Sequence, residues 1–469
     1  MDTVLLDLPK PVRHRRLVLA ICSMSLFVVG LDTTIVNVAL PSIGAGLGVG
    51  TRGLEWTVDA YTLVLAGLLI SSGAIADRFG RRRVFQLGLV VFAVASAACA
   101  VAPSIEVLIA ARVLQGVGGS MLSPVALAIV VNVITDPKER AQAIGVWAAV
   151  FGASMALGPV AGGLLVSGLG WRSVFWVSVP LIAAVLALTV AYVPESRSPS
   201  PRGIDVPGQL LLIAFVGGSV ALLIEGPHTG WDSPAGYVFV AAALAGFVVT
   251  SLRRREPLMD LRLFRRAPFT AAVLGAVVVF AGLNVTLLLS TLYLQHARGL
   301  TPAAAGLVTL PMAVAATVCA PLSGFLVGRS GPRLPLLLAG GFTVAGGLCL
   351  ATLTDHTVLA VLLAAYLCLG IGIGFANAPI TNTAVAGLPA DRAGVAGGIT
   401  STARQFGAAI GVAVAGGLVA GAGPAGLAHA SRPGWVLVAG CGLLLLAVAR
   451  VSPSRRPAAV NSSARPGSQ

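Results

Sequence analysis

The chain has 469 residues, of which 57% are hydrophobic and only 10% charged. Soluble domains carry about 25% charged residues, so this composition excludes a water-soluble globular protein and puts most of the chain in lipid. The net charge of +14 does not signal a nucleic-acid partner, because the basic residues sit in short loops between apolar segments, which is a topology pattern.

Residues 1–16, basic from Lys10 to Arg16, are expected to be a cytoplasmic N-terminus and lead into about 24 mostly apolar residues. That run is too long for the apolar region of a cleavable signal peptide and is expected to be a first spanning helix. A spanning helix needs roughly 20 apolar residues. Fourteen stretches qualify: 17–40, 55–76, 84–102, 105–131, 141–166, 172–193, 208–225, 235–252, 268–294, 303–327, 333–353, 357–386, 394–420 and 433–450. The fold expected is therefore all-α and polytopic, since a barrel would show short alternating segments. Residues 17–193 make an N-terminal six-helix bundle, and 194–207 a polar cytoplasmic linker. Two additional helices occupy 208–252, a basic cytoplasmic loop 253–267, and a C-terminal six-helix bundle 268–450. That loop is expected to lie on the anionic inner leaflet. The tail, 451–469, reads as disordered and cytoplasmic.

Charge tests the count independently. With fourteen spans, 25 of the 31 Lys and Arg fall on the side of the N-terminus, four (Arg52, Arg172, Arg298, Arg432) on the other, and Arg112 and Arg404 within spans. So lopsided a distribution places both termini in the cytoplasm. Of the basic residues only Lys10 and Lys138 are lysine, which together with the abundance of Ala and Gly fits a high-GC bacterial genome and a bacterial inner or plasma membrane. The six cysteines (Cys22, Cys99, Cys319, Cys349, Cys368, Cys441) lie in apolar segments with no metal or disulfide spacing.

The chain also repeats itself. Ser72, Gly73, Arg78, Gly80 and Arg82 recur as Ser323, Gly324, Arg329, Gly331 and Arg333, an offset of 251, and Glu139-Arg140-Ala141 recurs as Asp391-Arg392-Ala393. Six helices thus resemble six later ones, and the two between have no counterparts. Two parallel six-helix halves are the architecture of a facilitator-type carrier.

Leu31 to Pro41 places Asp32 deep in an apolar helix. Burying a carboxylate in hydrocarbon is costly, so such an acid is a functional-site candidate; the alternative is an Asp satisfied by Thr33, Thr34 and Asn37 beside it. Arg112, about two turns into the fourth span and followed by Gln115 and Gly116, is a fixed charge that suits a proton-coupling partner for Asp32; the alternative is an arginine that snorkels to the interface. Asp59 lies about one turn inside the second span with Trp56 and Tyr61, where the helix dipole favours a carboxylate. Between spans two and three, Gly73, Asp77, Arg78, Gly80 and Arg81 combine close helix approach with ion pairs at a cytoplasmic helix end, the makings of a conformational latch. Gly152, Gly158, Pro159, Gly162 and Gly163 make the fifth span thin and bendable. Glu225, at the outer end of span seven, reads as structural, while Arg404 in span thirteen is either a second fixed charge or part of a latch. No histidine lies mid-membrane.

These motifs, in this order over roughly residues 15–450, resemble the major facilitator superfamily and within it the fourteen-helix drug:proton antiporters of the EmrB/QacA type. The resemblance implies export and identifies the Gly152–Gly163 run as the antiporter motif of that family. It also places Asp32, Asn37, Asp59 and Tyr61 at the substrate. The similarity of Asp59 to the acid at this place in exporters of lipophilic cations implies the alternative to a dipole-favoured carboxylate, a residue facing a bound cation. Two departures stand out: Ser178 occupies a position where the family has Asn, and the C-terminal half carries no mid-membrane acid. The function expected is proton-coupled efflux of lipophilic drugs or antibiotics, cationic ones included, by alternating access. The alternative is a narrow-substrate self-resistance or metabolite exporter of the same fold. A polytopic enzyme finds no metal triad, nucleophile elbow or phosphate loop to support it. A channel finds no filter pattern. The expected partners are a small lipophilic substrate, protons and the bilayer, with the proton gradient as energy source, no cofactor or metal, and a monomeric state.

Overall fold

In the computed structural model, residues 15–452 are described, apart from 135, 199–202, 204, 230–231, 255–256, 355, 386–389 and 424–425. The expectations for residues 1–14 and the tail from 453 onward lie outside the described residues. Among the described residues the regular structure is entirely helical.

The helices are α1 Arg15–Leu47, α2 Thr51–Phe79, α3 Arg81–Ala100, α4 Ile105–Ser120, α5 Ser123–Val133, α6 Pro137–Leu169, α7 Ser173–Trp176, α8 Ser178–Tyr192 and α9 Val206–Thr229. They continue as α10 Pro234–Arg253, α11 Ala267–Leu292, α12 Pro302–Ser330, α13 Arg333–Ala351, α14 Leu359–Val385, α15 Ala390–Val419, α16 Leu427–Ala430 and α17 Arg432–Val451. Among the described residues thirteen segments are long and apolar enough to cross a membrane, with α4 and α5, α7 and α8, and α16 and α17 each counting as one. The 33-residue α6 supplies the fourteenth expected span. Several helices run past the apolar stretch that announced them, α1 by seven residues beyond Leu40 and α2 by three beyond Ala76. Helical continuation is the cheapest way to satisfy backbone groups where the chain leaves hydrocarbon.

The chain divides into two compact units, Met1–Leu258 with Leu300–Leu307, and Met259–Gly299 with Val308–Gln469. In the first, the core is built by Val28, Tyr61, Phe85, Phe92, Leu122 and Ile129, all buried. The added helices α9 and α10 cluster with this unit. Gln209 of α9 donates to Gly67 O of α2 and accepts from Ser71 Oγ. Asp205, just before α9, is 3% exposed, accepts from Leu258 N at 3.0 Å and pairs with Arg254 at 3.3 Å. In the second unit α11 packs along α15 and α17, and α13 along α14 and α17. The α13–α17 contact is close: a Cβ on Gly340 would come 2.7 Å from Gly442 O. Small residues at such crossings replace the hydrophobic drive that lipid abolishes. The outward faces are apolar, with Val238 and Val358 each 67% exposed, as a surface immersed in lipid requires.

Candidate functional site

The side chains around Asp32 on α1 use their own helix. Thr33 Oγ1 donates to Val29 O at 2.8 Å, Thr34 Oγ1 to Gly30 O and Leu31 O at 3.4 and 3.3 Å, and Asn37 Nδ2 to Thr33 O at 3.1 Å. Ser/Thr and Asn bond to preceding carbonyls in this way whenever a helix leaves them no other partner. Asp32 therefore takes its partners from α4. Arg112 Nη1 reaches Asp32 Oδ2 at 2.7 Å, and Gln115 Nε2 donates to Oδ1 at 2.9 Å.

The three-residue spacing of Arg112 and Gln115 puts both on one face of α4. Arg112 Nη1 also donates to Gln115 Oε1 at 2.6 Å, and its Nε to Thr57 O of α2 at 2.9 Å. Gln115 Nε2 donates in addition to Ser96 Oγ of α3 at 2.9 Å. The guanidinium lies 4.3 Å from the centroid of the Tyr61 ring and 5.9 Å from that of Phe175, where the ring faces favour a cation. Asp32 and Gln115 are 0% exposed and Arg112 1%. Four spanning helices thus converge on one charge pair, and both carboxylate oxygens are satisfied. A bond between ionised partners at this distance is of the strong, charge-assisted kind. Of the residues singled out in the sequence, Asp32, Arg112 and Tyr61 are brought together. Asn37 is not: its Oδ1 is buried with no partner among the described residues.

Asp59 belongs to a second group. It is 0% exposed on α2, and Glu55, one turn earlier, is 1% exposed. Asp59 Oδ1 accepts only a long bond from Thr62 Oγ1, 3.4 Å. Its Oδ2 and both oxygens of Glu55 have no partner among the described residues. Glu55 escaped the sequence reading, although its four-residue spacing from Asp59 was the available signal. At the same end of α2, Arg52 Nη2 pairs with Glu225 Oε2 of α9 at 2.6 Å and Trp56 Nε1 donates to Glu225 Oε1 at 3.2 Å. Glu225 thereby ties an added helix to the N-terminal bundle.

The residues between α2 and α3 form a connected cluster. Arg81 Nη2 pairs with Asp77 Oδ1 at 2.8 Å. Arg78 lies over the Phe79 ring, 5.8 Å from its centroid, so Arg81 rather than Arg78 answers Asp77. Gly80 turns the chain with φ +114°, and a Cβ there would come 2.9 Å from Glu195 Cδ. Glu195, beyond α8, accepts from Arg82 N at 3.1 Å and pairs with Arg83 at 3.8 Å. Ser196 O accepts from Arg81 N at 2.9 Å, and Ser198 N donates to Asp77 O at 3.1 Å. Glu195 is thus a further member that the sequence did not reveal. Gly73 stands apart, with open space where a Cβ would be.

On α6, Gly158 faces Thr34 and Gly162 faces Ile35, with a Cβ on Gly162 falling 2.9 Å from Ile35 Cγ1. Gly163 abuts Pro302 and Ala303 of the short stretch Leu300–Leu307 that belongs to this unit. These glycines let α6 lie directly along the part of α1 that carries Asp32. Pro159 sits inside α6, which continues through it. The surroundings of Gly152 lie outside the described residues. Ser178 opens α8 and is 1% exposed.

Comparison with known proteins shows the family. The family model described as Major Facilitator Superfamily matches residues 22–412. The chain is 42% identical over 404 residues to the multidrug resistance protein Stp of Mycobacterium tuberculosis, covering 86% of this chain and 75% of that one. It is 35% identical over 401 residues to the multidrug efflux pump LfrA of Mycolicibacterium smegmatis, covering 84% and 79%. To the tetracenomycin C resistance and export protein of Streptomyces glaucescens it is 36% identical over 395 residues, covering 83% and 73%. Among solved structures, a D-xylose-proton symporter superposes with a TM-score of 0.67 at 15% identity, covering 94% of this chain and 98% of the other, which shows a shared fold. The chain is therefore a member of the major facilitator superfamily, in the branch that holds multidrug efflux pumps and antibiotic-resistance proteins.

Proposed function

We propose that this membrane protein is a proton-coupled exporter of lipophilic drugs or antibiotics, working by alternating access in a bacterial plasma membrane with both termini cytoplasmic. The observation that carries the proposal is the Asp32–Arg112 pair, sealed from solvent and bonded at 2.7 Å. Arginine keeps its charge under all working conditions, so the proton-dependent partner is Asp32. With Asp32 ionised, the pair and Gln115 hold α1 and α4 together. A proton on Asp32 removes the charge that Arg112 answers and frees the guanidinium toward Gln115 Oε1 and Thr57 O, which it already contacts. Such a two-state bond is the element that proton binding on one side and substrate binding on the other can bias.

Glu55 and Asp59 serve the substrate's positive charge: buried carboxylate oxygens without donors offer a cation what the protein itself withholds. The Asp77–Arg81 pair with Glu195 serves as the cytoplasmic latch, and the packing of Gly158 and Gly162 on α1 transmits movement of α6 to the Asp32 region. One proton moving down ~100 mV contributes about 2.3 kcal/mol, and one pH unit about 1.4 kcal/mol. For a neutral substrate the two together support a gradient of roughly several hundred-fold. A monovalent cation exchanged for one proton draws on the pH difference alone.

The test is accumulation of a fluorescent lipophilic cation in cells expressing the wild type or Asp32→Asn, with and without a protonophore. Efflux that the protonophore abolishes, and that Asp32→Asn lacks at equal expression, is the expected result. Unchanged efflux by Asp32→Asn removes Asp32 from coupling. A narrower reading, export of a single natural product, is favoured by one observation: relatives of 36% and 38% identity are named a tetracenomycin C resistance and export protein and a methylenomycin A resistance protein. Protonophore-sensitive resistance to one compound class, with no efflux of unrelated dyes, would establish it.

A further inference from the structure

The second unit contains a cation with no carboxylate paired to it among the described residues. Arg404 sits in the spanning segment Ala396–Val419 of α15. Its Nη2 donates to Thr381 Oγ1 of α14 at 2.5 Å, and its Cζ stands 5.9 Å from the Phe280 ring centroid of α11. Its Nε is buried and has no partner among the described residues. Thr381 is oriented for this contact, because its own hydroxyl proton goes to Asn377 O at 3.0 Å, leaving lone pairs for the guanidinium.

The sequence closes off an anion from within the unit. From residue 259 to the end, the only acids are Asp260, Asp355 and Asp391. Asp391 is thirteen residues before Arg404 on the same helix, about 20 Å along its axis. Asp260 precedes α11, whose Phe280 lies thirteen residues in, again about 20 Å away. Among the described residues no carboxylate pairs with Arg404. An intramembrane charge is expensive and is retained where it binds something. Guanidinium also presents a planar fork matched to a carboxylate, and among the described residues only one donor is engaged.

We infer that Arg404, with Thr381 and Phe280, is an anchoring site for an acidic group, a carboxylate or an ionised phenol, on an aromatic lipophilic substrate. Thr381 fixes the fork, Phe280 supplies an aromatic face, and the substrate supplies the missing negative charge. The inference rests on the export reading for its physiological meaning.

The test measures binding apart from transport. Fluorescence anisotropy of rhodamine B, which carries a free carboxylate, and of its ethyl ester is followed with purified full-length protein in detergent, for wild type, Arg404→Gln and Arg404→Lys. The expected result is at least tenfold tighter binding of the acid than of the ester by wild type, a ratio falling to within twofold in Arg404→Gln, and an intermediate ratio in Arg404→Lys, which keeps the charge and loses the fork. Wild type that does not distinguish the dyes, or Arg404→Gln that keeps the preference, overturns the assignment. A loss of both dyes in Arg404→Gln with an unchanged ratio marks Arg404 as structural and overturns it equally. Export is judged separately: if wild-type cells retain the ester regardless of protonophore, the export reading fails while the binding ratio still decides the anchor.

Discussion

Asp32→Asn leaves Arg112 1% exposed and fully charged, with the 2.7 Å ion pair gone. Breaking a buried pair from one side costs about 3–5 kcal/mol, because the remaining charge stays desolvated. Three features of the site set where in that range the loss falls. Thr57 O, Gln115 Oε1 and the Tyr61 ring continue to solvate the guanidinium, which argues for the lower half, about 3 kcal/mol. Arg112→Gln costs less, since an unpaired aspartate can take up a proton and an arginine cannot give one away. Removing both charges in Asp32→Asn/Arg112→Gln leaves two amides able to bond to each other and to Gln115, so the double variant falls within about 1 kcal/mol of wild type. The cycle therefore yields a coupling of at least roughly 2 kcal/mol. Reversible unfolding in mixed micelles of a mild and a denaturing detergent measures all four proteins. Additive losses, or a double variant less stable than Asp32→Asn, would refute the reasoning, because they would mean that the two charges do not compensate each other.

Three further outcomes follow from the geometry. Gly80→Ala places a Cβ at φ +114° and 2.9 Å from Glu195 Cδ, so it should destabilise the α2–α3 turn by about 1–3 kcal/mol and slow efflux; thermal stability and transport assayed side by side check this, and a neutral substitution contradicts the cluster around Glu195. Gly162→Leu drives a side chain into Ile35 and is expected to abolish transport while Gly73→Ala, facing open space, does not; equal tolerance would show that the α1–α6 contact is not required. Glu55→Gln with Asp59→Asn removes two carboxylates that have almost no donors, so stability should hold or rise by roughly 1 kcal/mol as efflux of lipophilic cations falls at least tenfold (about 1.4 kcal/mol); a large loss of stability would reveal partners that the account omits.

Much of the architecture was legible because lipid imposes a simple rule: apolar length sets the spans. The joining of Asp32 to Arg112 was also legible, since few ionisable groups lie deep in the first unit and opposite charges must meet there. The finer contacts were not. Gln115 as the second donor to Asp32, Gln209 tying α9 to α2, and Glu195 answering the α2–α3 turn join residues 83, 142 and 113 positions apart, and nothing local to any of them announces the partner. Thr33, Thr34 and Asn37 looked able to satisfy Asp32, yet the helix carbonyls claimed them first. Glu55 was overlooked because it stands beside Trp56 at a helix start, where an acid usually needs no explanation. Only the burial of both carboxylates with three oxygens unbonded sets it apart. Among the described residues the break between α4 and α5 at Met121–Leu122, like that between α7 and α8 at Val177, falls within a predicted span; the first follows Gly118, Gly119 and Ser120, whose poor helix propensity apolar periodicity does not record.

The most direct test of the central claim is substrate-driven proton movement in everted membrane vesicles that carry a preformed pH gradient reported by an acridine dye. Addition of a lipophilic cationic substrate should dissipate the gradient in vesicles containing the wild type and leave it intact in those containing Asp32→Asn at equal protein content. Dissipation by Asp32→Asn at the wild-type rate would contradict the account, because proton exchange would then run through some group other than the carboxylate paired with Arg112.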